Sequence, residues 1–212
     1  MPFDWATQKQ AYTGKLRILS LGVVSRIATG QQTITTNNAT VTYVDCGTCD
    51  MTMNETLPDG ITSTISAGSG TTNINAYGLP WGAGYASRTI LGSSRNVFVT
   101  PRLDGCGIMI AGPTATPTII HANCRPTDLL TPVQNDLPTY YRLWSDVYIA
   151  IASKMVSASL LPDNSLEMLL PKDYLLTGVS DASVFGVCEG GSWSFYVTLN
   201  KTSAGETRKI WG

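Results

Sequence analysis

The chain has 212 residues, of which 14% are charged and 43% hydrophobic, and its formal net charge is -1. That length supports one sizeable core, and the apolar content excludes a disordered chain. The near-neutral balance excludes a basic face for nucleic acid, and no apolar stretch reaches the ~18 residues a membrane-spanning helix needs.

Along the chain, Lys15 to Arg26 is an apolar run that suits a buried strand, and Gln32 to Val44 alternates around an Asn37-Asn38 turn as a hairpin does. Asn54 to Tyr77 is rich in Thr, Ser, Gly and Asn and turns at Pro58-Asp59-Gly60, which predicts loops with one or two short strands. Leu79-Pro80-Trp81-Gly82 punctuates the chain. Three compact strands then follow at Val97–Thr100, Ile108–Ile110 and Thr118–His121, each closed by Gly, Pro or Asn. Asp136-Leu137-Pro138 is a helix start, and Tyr140, Leu143, Trp144, Val147, Ile151 and Met155 give Thr139–Val156 an apolar helical stripe. Ser183–Val187 and Trp193–Leu199, joined by Glu189-Gly190-Gly191-Ser192, read as a final hairpin. The expectation is a single α+β domain over 1–212, a twisted antiparallel sheet or β-sandwich with flanking helices.

The chain has one histidine, His121, so any imidazole chemistry uses that residue. Cys106 lies upstream in Leu103-Asp104-Gly105-Cys106-Gly107, at the entry of one predicted strand, and His121 lies at the exit of the next. Antiparallel neighbours bring those two ends together. A thiol needs a base to become a nucleophile, and an imidazole can take its proton and hand it to a leaving amine. The flanking glycines let a substrate carbonyl approach main-chain N–H groups that would serve as an oxyanion hole. Asp104 opposes thiolate formation if it faces the sulfur, so its side chain is expected to point away.

This stretch resembles the catalytic core of the cytotoxic necrotizing factor and Burkholderia lethal factor group of glutamine deamidases. That family carries Leu-Ser-Gly-Cys with a histidine a dozen to fifteen residues on, matched here by Leu103-Asp104-Gly105-Cys106 and His121, with Asp104 in place of the usual serine. Leu79-Pro80-Trp81, Thr100 six residues before the cysteine, and the aromatic-rich helix after the histidine extend the likeness to the lethal-factor branch, over roughly residues 79–156. The resemblance implies a catalytic set of Cys106, His121 and Thr100, with the Thr100 main-chain carbonyl holding the imidazole, and no cofactor. It implies hydrolysis of a glutamine side-chain amide in a host protein such as a Rho-type GTPase or a translation-initiation helicase. The chain would then be a toxin or translocated effector acting in the host cytosol. A monomer without nucleic-acid or membrane partners is expected, and Met1-Pro2-Phe3-Asp4-Trp5 lacks the charged start of a cleavable signal.

Other readings of the same residues compete. Cys46-Gly47-Thr48-Cys49 and His121-Ala122-Asn123-Cys124 have metal-knuckle spacing and together would make a Cys3His zinc site, which excludes the catalytic use of His121. Cys46 and Cys49 as a redox pair lack a following helix start and are flanked by Asp45 and Asp50. A papain-like protease lacks its Cys-Gly-x-Cys-Trp context. A non-enzymatic β-rich binding domain also fits this composition. Trp144 reads as core, and Arg102 and Arg125 bracket the candidate site.

Overall fold

The computed structural model describes residues 30–37, 39–46, 50–56, 64–67, 73–124, 136–177, 179, 181–199 and 206–212. The strand expected within 15–26, the Pro58-Asp59-Gly60 turn, Asn38, Cys49 and Arg125 lie outside these residues.

β1 (Gly30–Thr35) and β2 (Thr40–Asp45) form the expected antiparallel hairpin, with Thr35 opposite Thr40. β3 (Asp50–Thr56), β4 (Thr64–Ala67) and β5 (Asn73–Gly78) put three strands where one or two short ones were expected. β6 (Tyr85–Ile90) follows the Leu79-Pro80-Trp81-Gly82 break. β7 (Val97–Val99), β8 (Gly107–Ala111) and β9 (Thr118–Asn123) are the three compact strands read from the sequence. After the helix come β10 (Glu167–Leu169), β11 (Ala182–Glu189), β12 (Ser192–Leu199) and β13 (Glu206–Trp211). The β11–β12 turn is made by Gly190 and Gly191, both at positive φ, as a two-residue hairpin requires.

Among the described residues the strands form two sheets, in the orders β1-β2-β6-β9-β8-β10 and β13-β12-β11-β7-β5-β3-β4. Most neighbours are antiparallel, but β2–β6 and β5–β7 are parallel pairs, so both sheets are mixed. The sheets face each other across a core that includes Val44, Ile108, Ile110 and Ile119 on one side and Phe98, Val184, Trp193 and Phe195 on the other. This is the β-sandwich alternative of the sequence reading.

The long helix α1 (Leu137–Ser157) covers the outer face of the first sheet. Asp136 caps its start by accepting the Thr139 N–H at 3.2 Å. Its buried stripe is Trp144, Val147, Tyr148, Ile151, Ala152 and Met155, packed on Met109, Ala111, Ile120 and Ala122. Tyr140 and Leu143, expected on that stripe, are only half-buried, and Tyr148 takes the central place. A one-turn helix α2 (Pro171–Tyr174) brings Tyr174 into the core. β8 is buried along its whole length because it is covered on both faces, which is why it reads as a continuous apolar run.

Candidate active site

The loop that carries Cys106 is the crossover between the two sheets. β7 belongs to the second sheet and β8 to the first, and Thr100 to Cys106 connects them. Leu103 is still tied to the second sheet, exchanging backbone hydrogen bonds of 2.7 and 2.9 Å with Ala182. Gly107 already pairs with Ala122 in the first.

β8 and β9 are antiparallel neighbours with Ile108 opposite His121. Cys106 lies two residues before Ile108, and Cys106, Ile108 and Ile119 all belong to the core between the sheets. By the two-residue period of strands, His121 shares the face of Ile119, and Cys106 is its diagonal neighbour. The register therefore places the cysteine and the histidine as diagonal neighbours on the inter-sheet face. Both are covered, with Cys106 2% and His121 0% exposed.

Thr100 meets the His121 ring through its hydroxyl, not through the main-chain carbonyl that the resemblance implies. Its hydroxyl lies 2.6 Å from His121 Nδ1 and 3.0 Å from the Leu79 carbonyl. A hydroxyl has one proton, and a carbonyl can only accept. The arrangement that satisfies both contacts has Thr100 Oγ1 donating to Leu79 and accepting from Nδ1–H. The side chain of Thr100, not its main-chain carbonyl, holds the ring, and Leu79 of the Leu-Pro-Trp element holds Thr100. This fixes the tautomer and leaves Nε2 with its lone pair bare. Nε2 is buried and has no hydrogen-bond partner among the described residues. Burial alone lowers the His121 pKa from 6.5 to about 3, so the resting ring is neutral.

Two tyrosines that the sequence reading passed over clamp the loop. Tyr174 Oη accepts the Gly105 N–H at 2.8 Å and donates to the Cys106 carbonyl at 2.9 Å. Tyr148 Oη donates to the Gly105 carbonyl at 2.8 Å and lies 3.2 Å from the Cys124 N–H, which it accepts. Desolvation in the core pushes both phenols well above the usual tyrosine range, so they stay protonated as donors. The Gly105 N–H is thereby committed to Tyr174 and is not an oxyanion donor, which corrects one half of that expectation. The signal for the clamp was the glycines themselves. Gly105 has φ +132° and the Trp144 ring packed on it, and Gly107 has the Tyr148 ring 3.1 Å from where a Cβ would sit.

Asp104 is exposed and lies 3.9 Å from the Arg102 guanidinium, away from the buried sulfur. The zinc set does not assemble among the described residues. His121 faces the inter-sheet core while Cys124 sits among the residues under α1, because positions three apart on a strand fall on opposite faces. No group of three metal-ligating side chains occurs among the described residues, and Cys49 is not one of them. Burial raises the Cys124 thiol to about 12, which makes it inert rather than a second nucleophile. The chain matches no protein-family model, and no curated protein matches it in sequence.

Proposed function

We propose that the chain is a cysteine-dependent protein-glutamine deamidase, acting as a bacterial toxin or effector on a protein of the host cytosol. The observation that carries this reading is the orientation of His121. Its Nδ1 is held by a threonine hydroxyl, its Nε2 is bare, and it shares a sheet face with Cys106. The likeness of Leu79-Pro80-Trp81, Thr100, Leu103-Asp104-Gly105-Cys106 and His121 to the lethal-factor branch supplies the reaction class.

Cys106 Sγ attacks the carboxamide carbon of a glutamine as Nε2 takes the thiol proton. The C–N bond breaks as Nε2 returns that proton to nitrogen, ammonia leaves, and a thioester remains. An imidazolium is costly in so dry a site, which drives the proton onward to the leaving nitrogen. Water then adds to the thioester carbon, its proton goes to Nε2, and the C–S bond breaks to give glutamate and the thiol. In the target, an amide that donates and accepts becomes a carboxylate that only accepts.

Incubating a eukaryotic lysate with the protein should release ammonia and add one dalton at a glutamine of one lysate protein, read by mass spectrometry. Cys106→Ser should abolish both while keeping the wild-type circular dichroism. Equal gains with wild type and the folded variant would remove the mechanism.

A further inference from the structure

Ser87 lies in the middle of β6, fully buried, and its Oγ has no hydrogen-bond partner among the described residues. It sits directly opposite His121 in the β6–β9 register, so the two side chains share the inter-sheet face. Across that face the row runs Val44, Ser87, His121, Ile108, with Cys106 diagonal to His121. Two buried polar atoms on cross-strand partners, Ser87 Oγ and His121 Nε2, therefore both lack a partner among the described residues, and neither bonds the other. A buried hydroxyl left unsatisfied destabilises the fold, and an apolar side chain at this position of a core strand would not. A serine kept there at a stability cost points to a polar molecule that both atoms receive together.

We propose that Ser87 orients the hydrolytic water at His121 Nε2, a role that rests on the deamidase reading. The water that cleaves the thioester must lie within reach of Nε2, which takes its proton, and of the acyl carbon on Cys106 Sγ. Ser87 Oγ accepts the second proton of that water in a hydrogen bond and aims its lone pair at the carbon. The water oxygen bonds to carbon, one proton passes to Nε2, the C–S bond breaks, and the proton returns to the sulfur. The first half of the reaction, in which Nε2 takes the proton of the thiol itself, does not need Ser87.

p-Nitrophenyl acetate separates the halves, because its leaving phenolate needs no proton and it leaves an acetyl thioester. Wild type and Ser87→Ala are treated with the reagent and then desalted, and the acetylated Cys106 peptide is followed by mass spectrometry. Ser87→Ala is expected to acquire the acetyl group at the wild-type rate and lose it about tenfold more slowly, the effect of one lost hydrogen bond in the hydrolytic step. Its melting temperature is expected to equal or exceed that of the wild type, whereas a purely structural serine would lower it on removal. Equal acetyl lifetimes in the two proteins would overturn the role of Ser87 and leave Cys106 as the nucleophile. Absence of acetyl on Cys106 in the wild type would overturn the nucleophile, and the role of Ser87 with it.

Discussion

Gly105→Ala, in the loop that carries Cys106, is expected to cost about 3–5 kcal/mol of stability. At φ +132° an L side chain is strained, by about 1–3 kcal/mol. The new Cβ would also overlap Cη2 of Trp144 and lie 2.8 and 2.9 Å from two other atoms of that ring. Trp144 is a buried residue of α1, and its Nε1 donates to the Cys124 carbonyl at 2.8 Å, which ties the ring in place. Overpacking of this kind adds about 1–3 kcal/mol. Against a typical domain stability of about 5–15 kcal/mol, the variant is marginal or unfolded at room temperature. Urea unfolding of the variant and wild type measures the difference, and a change within 0.5 kcal/mol (roughly the scatter of surface substitutions) would contradict the packing described here.

Thr100→Val is expected to lower the rate of ammonia release about 100-fold while the chain still folds. Valine matches threonine in shape but removes the one atom that accepts from Nδ1–H and donates to the Leu79 carbonyl. Without it the ring is free to carry its proton on Nε2, the tautomer that cannot take a proton from the thiol. In serine proteases, loss of the carboxylate that orients the histidine costs about 10⁴-fold, and a neutral hydroxyl should matter less. Two buried groups lose their partner, so stability should also fall by about 1–3 kcal/mol. Thr100→Ser keeps the hydroxyl and should retain most of the rate. Parallel activities in the valine and wild-type proteins, measured as ammonia per folded protein, would remove Thr100 from the site.

The sequence contains the part of this site that depends on local pattern. Period-two alternation, Gly and Pro punctuation and a short β8–β9 connection were enough to put Cys106 and His121 at facing strand ends. The Asp136-Leu137-Pro138 start and the three-and-four spacing located α1 to within a few residues. The parts that depend on distant packing were not legible. Parallel pairing of β2 with β6 and of β5 with β7 leaves no mark in either strand alone. The strand Glu206–Trp211, which the sequence reading did not include, pairs with β12 at a sheet edge, where one face can stay wet. The resemblance put Thr100 beside the histidine through its main-chain carbonyl, whereas the side-chain hydroxyl is what reaches Nδ1. Tyr148 and Tyr174 entered the site from a helix and a one-turn segment far along the chain. One correction was available from the sequence: His121 and Cys124 are an odd number of positions apart, and a strand sends such a pair to opposite faces.

The proposed mechanism needs the His121 ring neutral, with its proton on Nδ1 and a bare Nε2 on the sheet face it shares with Cys106. The single histidine makes that directly measurable, because a sample labelled with ¹⁵N-histidine contains only one imidazole. Long-range ¹H–¹⁵N correlation spectra at pH 7 should show a protonated Nδ1 and an unprotonated Nε2. On acidification the ring should remain neutral at pH 5 and take up its second proton only near its buried pKa of about 3. A proton on Nε2 at pH 7 would contradict the proposed mechanism, since that tautomer has no lone pair there to take the thiol proton, and a titration near 6.5 would contradict the dry surroundings of the ring.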